Sequence, residues 1–104
     1  MKTEINKNRK AVKKNNLKEK IQIYASSGIY KGEVNIQWDA VSKAKHYVIQ
    51  VSAANTEKWI QVDIISEPFY KFSRLKTGRT YMFRIAAVFT KGQGVWSRHV
   101  SKKI

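Results

Sequence analysis

A chain of 104 residues is long enough for one domain with a modest core and too short for two, since chains of this size bury roughly two thirds of their unfolded surface. Three Trp, five Tyr and four Phe exclude a disordered polymer, and the lack of Cys excludes a disulfide framework and a thiolate metal site. The net charge of +14 points either to a polyanionic partner or to a lysine-rich, soluble surface.

The charge is uneven. Residues 1–20 carry Lys2, Lys7, Arg9, Lys10, Lys13, Lys14, Lys18 and Lys20 against Glu4 and Glu19. Ile5, Val12, Leu17 and Ile21 approach a helical stripe, but Asn15 and Asn16 interrupt it with side chains that compete for backbone hydrogen bonds. A basic N-terminal arm is therefore expected over 1–20, irregular or a short helix, ordered on a partner. Its candidate partner-binding residues are Lys7, Arg9, Lys10, Lys13 and Lys14. With no aromatics between them, these residues suit phosphate neutralisation rather than base reading. No apolar segment follows Met1 and Lys2, so no secretory signal is expected. The longest apolar run, Ile85 to Phe89, is far too short to span a membrane.

From Ile21 onward the period becomes two. A short first strand, A, is predicted over Ile21–Ala25, and Ser26, Ser27, Gly28, Lys31 and Gly32 supply turn chemistry. Strand B follows over Glu33–Trp38, with Val34, Ile36 and Trp38 inward. Strand C covers His46–Ala53 with Tyr47, Ile49 and Val51 inward, and a turn at Asn55–Glu57 leads to strand C′ over Lys58–Ile64. In C′, Ile60, Val62 and Ile64 alternate with Trp59, Gln61 and Asp63. Pro68 breaks the pairing because it cannot donate to a ladder. Strand E, Phe69–Ser73, places Tyr70 and Phe72 inward, and Leu75–Thr80 forms a corner. Strand F, Thr80–Thr90, buries Tyr81, Phe83, Ile85 and Ala87 on one face. Lys91–Gly94 turns the chain into a last strand, G, over Val95–Lys102. Seven short strands with regular turn signals and no helix within 21–104 predict an all-β antiparallel sandwich.

The residues that organise this pattern are Trp38, Ala44, Tyr47, Trp59, the Leu75-x-x-Gly78-x-x-Tyr81 corner, Phe83 to Val88, and Gly92-Gln93-Gly94-Val95-Trp96-Ser97. In order and spacing the segment from about residue 20 to 104 resembles a fibronectin type III domain, of bacterial or phage type, and implies that family's seven-stranded immunoglobulin-like sandwich. The resemblance assigns structural roles to Trp38, Tyr47, Leu75, Gly78, Tyr81 and Phe83. Leu75 is expected to plug the base of the core, and the Tyr81 hydroxyl is expected to bond a backbone carbonyl of the corner. On the other face of F, Arg84 is expected to stack on Trp96 of G, a cation–π contact serving local stability before ligand binding. Trp96 and Arg98 are expected to share one face of G.

No catalytic pattern is present. His46 and His99 lack Cys or acidic neighbours, the carboxylates are scattered, and nucleophile elbows and phosphate-cradling loops are missing. The chain is therefore expected to be non-enzymatic and to need no cofactor or metal. The resemblance implies an interaction or structural module docked onto a larger assembly, such as a phage virion or a bacterial surface complex, through a protein partner, in the cytoplasm or on the virion. The charge offers an alternative, non-specific binding of nucleic acid or another anionic surface through 1–20. A third option is a carbohydrate-associated spacer, with Tyr30 or Trp59 as the exposed stacking aromatic.

Overall fold

The computed structural model describes residues 20–54 and 56–104, so the arm and its five candidate residues lie outside the described residues, apart from Lys20. Among the described residues, eight strands run in chain order: β1 Ile23–Ser27, β2 Val34–Trp38, β3 His46–Ala53, β4 Ile60–Ile65, β5 Phe69–Phe72, β6 Thr80–Phe89, β7 Gly92–Trp96 and β8 Val100–Lys103. They form two antiparallel sheets, β1-β2-β5 and β4-β3-β6-β7, with β8 also paired to β6.

The core lies between the sheets, where alternating residues of both inner faces meet. Ile23, Val34, Ile36, Trp38 and Phe72 come from the smaller sheet, and Tyr47, Ile49, Phe83, Ile85 and Ala87 from the larger. The Phe72 and Phe83 rings lie 4.6 Å apart, joining the two layers. Trp38 and Tyr47 meet edge to face at 5.2 Å, and the Tyr47 hydroxyl accepts the Val41 amide at 2.8 Å. The strict alternation of β2, buried at Val34, Ile36 and Trp38, comes from its position between two neighbours with one face on the core.

Four expectations need correction. Strand A is shifted: Ile23 to Ser27 pair with Trp38 to Val34, and Ile21 precedes the ladder, its carbonyl accepting the Arg98 amide. Strand C′ is an edge strand, and a bulge opposite Ile49 and Gln50 skips Val62, so sequence alternation does not bury its apolar side chains. Ile60 and Ile64 are 61% and 55% exposed. Strand G is broken into β7 and β8. At the break Ser97 is buried, its amide donating to the Ile85 carbonyl at 2.7 Å while its hydroxyl oxygen accepts the Ile85 amide at 2.9 Å. A side chain thus replaces a ladder rung, which is why eight strands fill seven positions. The F–G turn is shorter than expected, with Phe89 already paired to Gly92.

The E–F corner also differs in detail. The Tyr81 hydroxyl oxygen accepts the Lys76 amide at 3.0 Å and does not donate to a carbonyl as expected. Gly78 has φ +89°, a left-handed conformation that a Cβ would strain. Leu75 packs against the core, half-buried, and its amide donates to the Gly32 carbonyl, tying the corner to the β1–β2 loop.

Candidate functional site

The outer face of the larger sheet carries the most ordered polar cluster. Register across three strands places Gln61 beside Gln50 and Gln50 beside Arg84. Arg84 Nε donates to Gln50 Oε1 at 2.9 Å, which fixes the plane of the guanidinium. Its Cζ then lies 4.2 Å from the ring centroid of Trp59 and 4.2 Å from that of Trp96. The cation is held between two indole faces, where the ring quadrupole is negative. Burial pulls the Arg84 pKa below its usual value, yet an arginine stays charged throughout the working range of a protein. The His99 ring continues the stack, 6.4 Å from Trp59. Lys20, Val95 and Arg98 join these residues around an open groove of about 680 Å³.

The expected partnership of Arg84 and Trp96 is therefore one half of a sandwich. The second indole, Trp59, is expected from the sequence as an exposed aromatic, but its pairing with Arg84 depends on the register of three strands, which alternation alone does not give. One face of Trp59 is taken by the guanidinium. Of the two aromatics named for sugar stacking, only Tyr30 is open, at 70% exposure. Arg98 lies past the break at Ser97, outside both strands, and lines the same groove as Trp96.

Trp38, Tyr47 and Phe83 lie in the core, Leu75 and Tyr81 pack against it, and Gly78 lies in the corner. Among the described residues, no cluster of three or more His, Cys, Asp or Glu could hold a metal, and no helix is long and apolar enough to cross a membrane.

Two exposed apolar features were missed. The first is β4, where every residue except Ile65 is exposed and which is an edge of the larger sheet among the described residues. The second is the tip of the β1–β2 loop, where Ile29 is 88% exposed beside Tyr30. Of this tip the sequence reading names Tyr30, as an exposed aromatic, and not Ile29.

Two layers of antiparallel strands, the β1-β2-β5 and β4-β3-β6-β7 order and the tyrosine corner define an immunoglobulin-like sandwich. The fibronectin type III domain family matches residues 21–103, and the chain belongs to that family. Solved structures agree on the fold. An Fn3-like protein from Clostridium thermocellum superposes with a TM-score of 0.72 at 17% identity, covering 83% of this chain and 92% of that one. Domains from titin give 0.72 at 20% identity over 83% of this chain and 32% of that one. The twitchin kinase region from C. elegans gives 0.67 at 20% identity over 75% and 15%. The chain thus spans under a third of the titin and twitchin chains it resembles and nearly all of the clostridial one. Fibronectin type III domains are interaction or structural modules, commonly of proteins with proteins, and are generally non-catalytic.

Proposed function

We propose that this chain is a non-enzymatic docking module of a larger assembly, such as a phage virion or bacterial surface complex, recruited through a protein partner. The supporting observation is β4. An edge strand presents unpaired backbone groups, and natural sheets blunt such edges with charges, proline or bulges. Here the edge carries a bulge and one charge, Asp63, whose carboxylate accepts the neighbouring Ile64 amide at 2.8 Å, and it retains exposed Ile60, Val62 and Ile64. A partner strand added there gains main-chain hydrogen bonds and covers the aliphatic side chains. The basic arm, residues 1–20, serves as a separate anchor. V62K/I64K tests the reading: partner capture by the full chain is lost while the thermal midpoint is kept. Capture that survives the substitutions would contradict it.

The concentration of charge supports a second reading, adsorption to a polyanion through Lys7, Arg9, Lys10, Lys13 and Lys14. Affinity then falls steeply with salt, and removal of residues 1–20 abolishes most of it. Binding that is independent of salt would exclude this reading.

A further inference from the structure

We propose that the pole of the sandwich formed by the β1–β2 loop, the E–F corner and the C-terminus is a docking surface for an anionic lipid bilayer. The inference deepens the second reading and moves its site from the arm to the folded domain. Ile29 and Tyr30 project from the loop tip, 88% and 70% exposed, the two most exposed large hydrophobic side chains described. The tip is built to hold that shape. Glu33 Oε1 accepts the Ile29 amide at 3.1 Å and the Tyr30 amide at 3.2 Å, and the Glu33 amide donates to the Tyr30 carbonyl. Gly32 has φ +80°, and a Cβ there would lie 2.8 Å from the Leu75 carbonyl oxygen, so only glycine lets the tip lie against the corner.

The corner brings cationic residues to the same end of the sandwich as this apolar tip. Arg74 and Leu75 abut Gly32; Lys76 and Arg79 belong to the corner turn; Lys103 pairs with Thr80, and the Ile104 amide donates to the Arg79 carbonyl. Lys31 lies on the tip itself. Lys31, Arg74, Lys76, Arg79 and Lys103 are all exposed. The described acidic residues at this end are Glu33 and Glu57. Glu33 is engaged by the tip amides and lies 3.9 Å from Lys71, and Glu57 is followed by Lys58. Asp39 and Glu67 lie at the opposite end, beside Trp38 and Pro68, whose backbones are hydrogen bonded. Exposed apolar side chains on a loop tip with exposed basic residues at the same end match a bilayer, with acyl chains beneath an anionic headgroup layer. A nucleic acid would engage the cations and leave Ile29 without a partner, and a protein partner would need a concavity for the tip.

The test is partitioning of the full chain onto phosphatidylcholine vesicles with and without about one third phosphatidylglycerol. Binding to the anionic vesicles, weak binding to the neutral ones, and loss at high salt are expected. I29S/Y30S, which leaves the charge unchanged, lowers the partition coefficient roughly tenfold, and K76Q/R79Q/K103Q lowers it by a similar factor. Because the chain has no native Cys, I29C carries one environment-sensitive dye whose emission shifts to the blue on binding, while the same dye on K43C does not shift. Equal binding by wild type and I29S/Y30S would overturn the proposal. If neutralising the five arm residues alone removes binding, the proposal fails while the arm-centred reading stands. Retention on nucleic acid without vesicle binding also overturns it.

Discussion

Arg84 is a charge placed on a sheet surface between two flat rings, and its geometry has a measurable energetic consequence. Each indole contributes roughly 0.5–1 kcal/mol at a partly exposed site. Arg84→Ala is therefore expected to cost about 1–2 kcal/mol, read as a lower urea midpoint at constant m. Arg84→Lys restores only part of this, because an ammonium lacks the planar stacking face and cannot donate to Gln50 in the same geometry. Tyr70 gives a pH-dependent prediction. Burial, then the nearby Asp63 charge, raise its pKa above the usual 10.0. A raised folded-state pKa means that the native state holds its proton longer than the unfolded chain. The stabilisation is fully present below pH 10.0 and is lost as pH rises through the folded value. Tyr70→Phe should therefore flatten the alkaline limb of the stability profile and leave its slope near neutrality unchanged. A wild-type alkaline limb in Tyr70→Phe would refute this.

At the scale of elements, two glycines separate backbone strain from close approach. Both have positive φ, but a Cβ on Gly78 meets nothing within 4 Å, whereas one on Gly32 meets backbone at 2.8 Å. Gly78→Ala should cost about 1 kcal/mol, from conformation alone. Gly32→Ala should cost clearly more, because the loop must separate from the corner; thermal melts of the two variants decide this. The strands that could be read from sequence are those with a core on one face and neighbours on both sides. Val34, Ile36 and Trp38 alternate because burial alternates, and Phe83, Ile85 and Ala87 share the core face although Ala86 is buried on the other. β4 misleads for a physical reason: period two reports that side chains take opposite sides, not that either side is covered. The break in G is equally silent, because Ser97 preserves the backbone pairing of Ile85 through its hydroxyl. Of the candidate cluster, Arg84 with Trp96 was legible from parity on adjacent strands. Trp59 was not, since it depends on register carried from β6 through β3 to β4.

Across the whole molecule, the contacts that matter for docking are assembled from distant parts of the chain. Lys31, Arg74, Arg79 and Lys103 come to one end of the sandwich only because the corner packs on the β1–β2 loop and β8 ends beside it. No local motif announces such a surface. The same domain offers a second surface, the open β4 edge, remote in sequence from the arm. A scaffold with a packed core and a capped outer face leaves these exposed parts as the places where a partner gains most. Amide hydrogen exchange of the full chain, free and bound to its native assembly, tests this most directly. Bound protein should gain protection across residues 60–65, where the edge acquires a neighbouring strand. Unchanged exchange at β4, with protection confined to residues 1–20, would contradict docking through the sheet edge.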